Sequence, residues 1–417
     1  MAAKTNFCPV IVAGGRGTRF WPLSRKRRSK QMLALNSQRT MIQETLDRLR
    51  PLAPESSFWI ITNEDLRAGI ARQLAELNKA QILAEPVGRN TAPAIGLAAF
   101  VLLRRDPDAV IGMFPSDHVI TNESRFHKNI NSAVRLARED GHIVVLGIPP
   151  THPETGYGYI EVGEKLPGEI RRVRRFTEKP NLDRAEEFVA AGNYFWNSGM
   201  FVWSARTLAN ALREHLSETA PYLEKIAAAY GTRRFDSTFR ALYPKCENIS
   251  VDYAVLEPRS AKGEHASNLY CVPASFGWND LGSWAALYEH HIADGKRGDN
   301  VIRAQKNFTL NASGNYIHAP NKFVAAVGVK SLVIVETGDA LLVTTREHAQ
   351  DVGKVCSTWT RRSCRSWFDT VVGLRFSVFG PAARGIPLLT VRLPRSASIY
   401  KWSYSVTRNR KPITGNR

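Results

Sequence analysis

From Phe7 to about Ala293, short apolar runs alternate with amphipathic stretches. The apolar runs are typical of strands, and the stretches between them place apolar residues at helical spacing. The pattern predicts strands over Phe7–Ala13, Phe58–Thr62, Gln81–Glu85, Ala109–Pro115 and His142–Leu146, and helices near Thr40–Leu49, Asp65–Leu77, Ala92–Arg104 and Ser124–Arg138.

This alternation predicts an α/β domain. Strands joined through helices by crossovers of more than a dozen residues imply a parallel sheet between layers of helices. We therefore expect a Rossmann-like, mixed but mostly parallel sheet flanked by helices. In such sheets ligands bind beyond the carboxyl ends of the strands.

The pattern changes at about residue 300. Short β-prone runs separated by Gly, Asn, Ser and Asp predict a small β-rich C-terminal appendix. These predicted strands are Asn300–Ile302, Phe308–Leu310, Tyr316–His318, Phe323–Val327, Leu332–Glu336 and Ala340–Thr344. After Val355 no sustained period remains. We predict a first domain over residues 1–295, a β-rich domain over 296–355, for which a β-helix is one option, and a basic, poorly ordered tail over 356–417.

The composition is that of a globular protein. Apolar residues make up 43% and charged residues 23% of the 417 residues, which excludes collagen-like, mucin-like and wholly disordered chains. The apolar run Ala94–Leu103 is too short to span a bilayer, and the first apolar run lacks the features of a signal peptide. Five cysteines without paired spacing indicate reduced thiols. We expect a cytoplasmic protein with no membrane partner.

The net charge of +19 and the pI near 9.9 are typical of nucleic-acid-binding proteins. Residues 356–417, however, carry twelve basic side chains and one acidic side chain, and so more than half of the excess. The remaining 355 residues are mildly basic, which suits anionic substrates. Nucleic-acid binding would therefore rest on charge alone, and we do not expect a nucleic-acid partner.

A glycine-rich turn follows the first predicted strand. Gly14, Gly15 and Gly17 allow a backbone to approach phosphates closely with its N–H groups, and Arg19 and Lys30 supply charge. A Walker loop is excluded because no Gly-Lys-Ser/Thr follows at the required spacing, and a dinucleotide fingerprint because its third glycine is missing. A plain glycine turn after a strand is the alternative.

Three further segments carry candidate chemistry, each with a simpler alternative. Asp117 ends a buried strand facing the glycine-rich turn, where a carboxylate suits Mg²⁺, although a lone Asp there also forms turns. Glu178 and Lys179 offer a carboxylate and a cation, or a solvated ion pair. Asn90 and Thr91 are candidates for capping the helix that follows them.

The string Gly-Gly-x-Gly-Thr-Arg-Phe-Trp-Pro-Leu over residues 14–23, followed by Lys30, resembles the signature of sugar-nucleotide pyrophosphorylases. Its spacing is similar to that of the mannose-1-phosphate guanylyltransferases, except that Ser29 stands where they usually have proline. Further strings follow in the order found in that family, over residues 7–352. The resemblance implies a fold of the nucleotide-diphospho-sugar transferase type, with Arg19 and Lys30 as the catalytic residues.

The resemblance also implies a role for each string. Residues 85–95 are similar to the guanine and ribose segment, residues 276–284 to the segment with a second metal carboxylate, and three others to the sugar-phosphate side. The implied nucleotide contacts are Gly14, Gly15, Gly17, Thr18, Glu85, Pro86, Asn90, Thr91 and Ala92; the implied Mg²⁺ ligands are Asp117 and Asp280; the implied sugar-phosphate contacts are Gly158, Glu178, Lys179 and Asn197. Asp252 is expected near the site, with its role open.

The implied activity is transfer of GMP from GTP to α-D-mannose 1-phosphate, which gives GDP-mannose and pyrophosphate with Mg²⁺ as the metal. A different nucleotide and hexose 1-phosphate pair is one alternative, and a non-catalytic regulatory homologue or a nucleic-acid-binding protein is another. A regulatory homologue would be expected to lose Arg19, Lys30 or the carboxylates, and all are present. Assembly into a homo-oligomer stays open.

The tail from residue 356 does not follow the family pattern. Relatives are expected to finish with a short helix, whereas this chain becomes rich in arginine and poor in acids. We interpret the tail as the product of a shifted reading frame. A basic arm that binds nucleic acid or membrane is the alternative.

Overall fold

The computed structural model describes residues 6–139, 141–292 and 298–356, and the backbone of residues 357–360. The strands are β1 (Phe7–Val12), β2 (Trp59–Asn63), β3 (Ile82–Glu85), β4 (Val110–Pro115), β5 (Val119–Ile120), β6 (Ile143–Ile148), β7 (Tyr159–Lys165), β8 (Arg171–Thr177), β9 (Tyr194–Ser204), β10 (Leu269–Pro273), β11 (Trp278–Asn279), β12 (Val301–Leu310), β13 (Tyr316–Val327), β14 (Leu332–Glu336) and β15 (Leu341–Thr345). The helices are α1 (Met41–Leu49), α2 (Glu64–Gln73), α3 (Thr91–Arg105), α4 (Glu123–Ala137), α5 (Leu182–Ala191), α6 (Ala205–His215), α7 (Ala220–Ala229), α8 (Phe235–Leu242), α9 (Glu257–Ser260), α10 (Trp284–Ile292) and α11 (Val352–Thr360).

The central sheet is mixed, as predicted. Its strand order is β3-β2-β1-β4-β9-β6-β10-β8-β7, and β7 also pairs with β9. The first four strands run parallel, as do β6 and β10. Strand β9 lies antiparallel between β4 and β6, and β8 lies antiparallel to β10 and β7. The prediction of an α/β fold with a C-terminal β-rich region is confirmed.

Each face of the sheet carries its own layer of helices. Neighbouring residues such as Val10 and Ile11 point to opposite faces and join different apolar cores. Helices α3, α6 and α7 cover one face, and α1, α2 and α4 cover the other. Because both faces are buried, the parallel strands are apolar throughout, which is why they appear as continuous runs in the sequence.

The β-rich region forms a separate four-stranded sheet in the order β12-β13-β14-β15. Strands β12, β13 and β14 run parallel, and β15 is antiparallel to β14. The prediction of six short strands is wrong in number. Pairing between β12 and β13 continues across a bulge between Ala304 and Lys306, so two pairs of predicted strands merge. Polar residues interrupt the apolar pattern without ending the strands because much of this ribbon is exposed.

Helix α2 ends at Gln73, four residues before the end that the apolar spacing predicts. Leu74 and Leu77 are buried although they lie in the turn that leads towards β3. Apolar residues therefore continue at helical spacing beyond the last residue of the helix. Within the residues described, no helix has the length and apolarity needed to cross a bilayer. The predicted tail begins inside α11, and its residues 361–417 lie outside the described residues.

Candidate active site

A cavity of about 310 Å³ lies at the carboxyl ends of the central strands. It brings together residues that are far apart in the sequence, from the glycine-rich turn to the segment after β11. Of the predicted site residues, its lining includes Gly15, Thr91, Asp117, Gly158, Glu178, Asn197 and Asp280, and it also includes His118, Tyr157, Asp252 and Trp278.

Side-chain amides donate hydrogen bonds to the carbonyl groups of the glycine-rich turn. The Gln31 amide donates to the carbonyl oxygens of Ala13 and Gly15 at 2.8 and 3.1 Å, and the Asn63 amide donates to that of Gly14 at 3.2 Å. Among the described residues, the N–H groups of residues 14–17 have no acceptor. The turn therefore presents amide hydrogens that can bind an anion.

Gly17 brings this turn directly against Lys30. Its φ of 59° lies in the left-handed region, and a Cβ placed there would clash with the Lys30 Cβ. Only glycine satisfies both conditions without strain. The predicted glycine and lysine are therefore parts of a single packed unit.

The Lys30 ammonium group joins the two predicted metal carboxylate segments. Its Nζ donates to Asp117 Oδ2 at 2.9 Å and to the main-chain oxygen of Asp280 at 2.5 Å, and the side chain is only 7% exposed. Burial by itself raises the pKa of the Asp117 carboxyl group, but the charge and hydrogen bond of Lys30 outweigh it and lower that pKa. Asp117 is therefore held ionised.

The short pairing of β5 with β11 brings Asp280 to the same place. Asp117 lies two residues before β5 and Asp280 directly follows β11, and Asn279 pairs with Val119. Tyr157 Oη donates to Asp280 Oδ1 at 2.8 Å, and the Gly282 N–H donates to the same atom at 3.1 Å. In the described part of the chain, Asp280 Oδ2 accepts no hydrogen bond.

Arg19 lies at the mouth of this cluster. Its side chain is exposed, and its guanidinium group donates to the main-chain oxygen of Gly282 at 3.0 Å. The geometry therefore gathers Arg19, Lys30, Asp117 and Asp280 around the edge of the glycine-rich turn.

His118 is a site residue that the sequence analysis did not single out. Its Nδ1 accepts a hydrogen bond from Trp278 Nε1 at 3.1 Å, which requires the neutral imidazole. Burial lowers the pKa of His118 to about 4, which agrees with that form. His118 directly follows Asp117 and Trp278 lies within residues 276–284, but the sequence does not show that the two side chains meet across β5 and β11.

Glu85 ends β3 beside the glycine-rich turn and is buried. Its Oε1 accepts a hydrogen bond from Tyr243 Oη at 2.6 Å, while a Cβ on Gly14 would lie 3.4 Å from its Oε2. Burial raises the pKa of the Glu85 carboxyl group to about 7, although the bond from Tyr243 opposes this shift. Tyr243 lies 158 residues away in the chain, and no sequence pattern pointed to it.

We predict that Glu85→Gln removes a pH dependence of stability. The raised pKa means that the folded state holds a proton that the unfolded state has lost, so the free energy of unfolding of the parent protein falls as pH rises from about 4.5 past 7. A glutamine keeps the acceptor for Tyr243 without titrating. Relative to the parent, the variant gains about 3 kcal/mol between pH 5 and pH 8. Urea unfolding at both pH values measures this gain.

The matched control for this measurement is Glu187→Gln, at an exposed position on α5. The control is expected to follow the parent protein at both pH values. A constant difference between Glu85→Gln and the parent at pH 5 and pH 8 would contradict the prediction.

The rest of the predicted nucleotide segment supports a loop instead of lining the cavity, apart from Thr91. Asn90 caps α3 by accepting from the Thr91 N–H at 2.9 Å, as its capping pattern predicts. Thr91 Oγ1 accepts from the Val251 N–H at 2.9 Å, and the Ala92 N–H donates to the Ile249 carbonyl at 3.2 Å. Pro86, Asn90 and Ala92 are absent from the described cavity lining.

The opposite end of the cavity is rich in hydrogen-bond acceptors. Glu178 Oε2 is buried and has no hydrogen-bond partner in the described residues, and a Cβ on Gly158 would lie 2.5 Å from it. Glu178 Oε1 accepts from Lys179 Nζ at 2.5 Å. Lys179 itself is half exposed and lies outside the described lining of the cavity.

Asp252 fixes the orientation of Asn197. Asn197 Nδ2 donates to Asp252 Oδ1 at 2.8 Å, and Asn197 Oδ1 accepts from the Gly199 N–H at 3.0 Å. Burial raises the pKa of Asp252 to about 6, and the neighbouring charge of Glu178 acts in the same direction. Asp252 begins a π-helical turn, a local geometry frequent at functional sites.

Comparison with known proteins shows which family the chain belongs to. The family model for nucleotidyl transferases matches residues 8–297. The chain belongs to the nucleotidyl transferase family. A second model, described as a mannose phosphate isomerase/GMP-like β-helix domain, matches residues 305–358 of this family member.

Relatives of this nucleotidyl transferase bear more specific names. Mannose-1-phosphate guanylyltransferase RfbM of Salmonella typhimurium is 40% identical over 84% of this chain and 72% of its own length. A mannose-1-phosphate guanylyltransferase of Escherichia coli is 41% identical over 83% and 72%. A crystal structure from Thermus thermophilus, described as a mannose-1-phosphate geranyltransferase, has a TM-score of 0.74 at 31% identity, covering 85% of this chain and all of that one. The predicted resemblance to the mannose-1-phosphate guanylyltransferases is confirmed, and the chain is an enzyme of the nucleotidyltransferase class.

Proposed function

We propose that this enzyme transfers GMP from GTP to α-D-mannose 1-phosphate and releases pyrophosphate. The observation that carries the proposal is the cluster of Lys30, Asp117 and Asp280 beside the glycine-rich turn, with buried acceptors at the other end of one cavity. The first end suits a triphosphate and the second suits a sugar. The names of the relatives supply the choice of guanine and mannose.

The two carboxylates also suit a magnesium ion. Among the described residues, no group of three or more His, Cys, Asp and Glu side chains is arranged to hold a metal. Magnesium in nucleotide enzymes needs only one or two carboxylates, with phosphate oxygens and water as the other ligands. Asp280 Oδ2 is available and Asp117 is ionised, so these two residues would hold it. The bound ion would neutralise charge on the phosphates.

The proposed reaction is an in-line displacement at the α-phosphorus. An oxygen of the sugar phosphate forms a bond to that phosphorus while the bond to the bridging oxygen of the pyrophosphate breaks. The attacking phosphate oxygen is already ionised, so the reaction needs no general base. Lys30 and Arg19 stabilise the negative charge that moves onto the leaving pyrophosphate, and the N–H groups of the turn hold the triphosphate.

Pyrophosphate release by the purified protein tests the proposal. GTP, ATP, CTP and UTP are each supplied with mannose 1-phosphate, glucose 1-phosphate and galactose 1-phosphate, with Mg²⁺ present. The expected result is turnover that is highest for GTP with mannose 1-phosphate. If turnover is higher with another pair, the nucleotide donor or the sugar phosphate in the proposal is wrong and that pair takes its place. No turnover with any pair would favour a regulatory homologue.

We predict that Glu178→Gln weakens binding of the sugar phosphate alone. The variant removes a buried carboxylate oxygen that has no protein partner among the described residues and suits a sugar hydroxyl. A hydrogen bond to a charged group contributes about 1.5–3 kcal/mol, so KM for the sugar phosphate should rise about tenfold to a hundredfold. KM for the nucleotide should stay unchanged. Steady-state kinetics with each substrate varied in turn measures both, and Glu187→Gln is the control. A rise confined to KM for the nucleotide would contradict the assignment.

A further inference from the structure

The C-terminal helix α11 packs against the back of the turn that carries Arg19. A Cβ on Gly353 would lie 3.3 Å from Thr18 Oγ1 and 3.5 Å from Arg19 Cγ. One helical turn later, the Cys356 thiol donates to the main-chain oxygen of Thr18 at 4.0 Å. The helix therefore meets both the side chain and the backbone of the segment Thr18–Phe20.

This contact is anchored by an apolar cluster shared between the two parts of the chain. Val352, at the start of α11, is buried in the same cluster as Phe20, Leu281 and Trp284. The rings of Phe20 and Trp284 lie 4.9 Å apart, and Trp284 Nε1 donates to the main-chain oxygen of Trp21 at 3.1 Å. The position of α11 and that of the turn are thus set by one packed core.

A second contact fastens the same loop to the β-rich sheet. Arg25 donates through Nη2 to both carboxylate oxygens of Asp339, at 2.9 and 3.1 Å, and its side chain is only 14% exposed. Asp339 lies between β14 and β15. The loop from Thr18 to Arg25 is therefore held by the C-terminal region at two separate points.

We propose that Gly353 is a positioning residue, through which α11 sets the position of Arg19 relative to the phosphates of the nucleotide. The inference rests on the proposed role of Arg19 in the nucleotide site. The exposed guanidinium group of Arg19 is held by one hydrogen bond to Gly282, so its location depends on the backbone of the turn. The absence of a side chain at Gly353 lets α11 lie directly against the side chains of Thr18 and Arg19.

Substitution at Gly353 separates positioning from folding. Alanine is a better helix former than glycine, so Gly353→Ala should not weaken α11. Its Cβ would nevertheless lie 3.3 Å from Thr18 Oγ1, closer than an ordinary contact, so the Thr18 side chain at the start of the turn must give way by a few tenths of an ångström. Gly353→Leu would shift it further. A displacement of about 1 Å at a site can cost up to about a hundredfold in rate.

The experiment measures kcat and both KM values for the full-length chain and its variants. We expect kcat/KM for the nucleotide to fall about tenfold in Gly353→Ala and about a hundredfold in Gly353→Leu, because Arg19 acts on the charge of the leaving pyrophosphate. KM for the sugar phosphate should stay unchanged, and the melting temperature of the alanine variant should not fall. The matched control is Gly338→Ala in the same region, where a Cβ meets no atom within 4 Å.

A double variant tests whether the effect acts through Arg19. In an Arg19→Ala background, Gly353→Leu should add little to the loss, because coupled residues are not additive. An equal further loss in that background, or unchanged kcat/KM for the nucleotide in both single variants, would overturn the proposal. If the parent protein prefers another nucleotide, the variants are compared with the parent on that nucleotide. An error in the proposed donor is then seen in the parent protein, whereas an error in the role of Gly353 is seen only in the variants.

Discussion

Replacing Lys30 by methionine is expected to lower kcat by about two to three powers of ten. The ammonium group is nearly buried and contacts both carboxylate segments, so its removal deletes a fixed positive charge beside the glycine-rich turn. Methionine retains an apolar stem beside Phe20, whose ring centroid lies 5.7 Å from Nζ. Pyrophosphate release at saturating concentrations of both substrates measures the loss.

The same variant leaves the Asp117 carboxylate, whose side chain is 34% exposed, without its ionic partner. Because solvent reaches this carboxylate, the cost should lie below the roughly 3–5 kcal/mol of breaking a fully buried pair. Thermal unfolding of Lys30→Met should show this cost, and the double variant Lys30→Met with Asp117→Asn should recover most of it. Because Asp117 is itself a proposed Mg²⁺ ligand, the double variant reports on stability alone, and turnover is compared between Lys30→Met and the parent at a temperature where both are folded. Lys128→Ala, at an exposed position on α4, serves as the control. Turnover of Lys30→Met equal to that of the control would refute the role of Lys30.

The sequence predicts those parts of the site that are specified by residues adjacent in the chain. A buried strand followed by Gly14, Gly15 and Gly17 specifies a turn at the carboxyl end of the sheet, and the structure has that turn. Asp117 was predictable for the same reason, since it follows another buried strand of the sheet. Parallel strands bring such turns to one edge, so a shared cavity follows from the order of the elements alone.

Pairing between distant segments was not predictable in the same way. An alternating or apolar pattern shows that a residue is buried but does not name its partner, so the insertion of β9 between β4 and β6 left no trace in the sequence. The contact of Tyr243 with Glu85 and that of Asp252 with Asn197 are of this kind. The role of Asp252 stayed open at the sequence level because its partner lies 55 residues away.

Asp280→Asn is expected to reduce kcat by about two to three powers of ten while the fold stays intact. Asparagine keeps an oxygen that can accept from Tyr157 and from the Gly282 N–H, and the bond from Lys30 goes to the main chain, which the substitution leaves in place. The change therefore removes charge and very little else. Melting temperature should move by no more than that of Asp236→Asn, a control at an exposed position on α8.

The dependence on Mg²⁺ then separates two explanations for the loss. If Asp280 helps to hold the ion, the variant needs a higher Mg²⁺ concentration for half-maximal activity, and Tyr157→Phe, which removes only a hydrogen bond to the same carboxylate, has a much smaller effect. If Asp280 acts only by orienting Tyr157, the two variants should lose activity equally, with no change in the Mg²⁺ requirement. Undiminished turnover in Asp280→Asn would remove this carboxylate from the reaction altogether, leaving the charge near the phosphates to Lys30, Arg19 and Asp117.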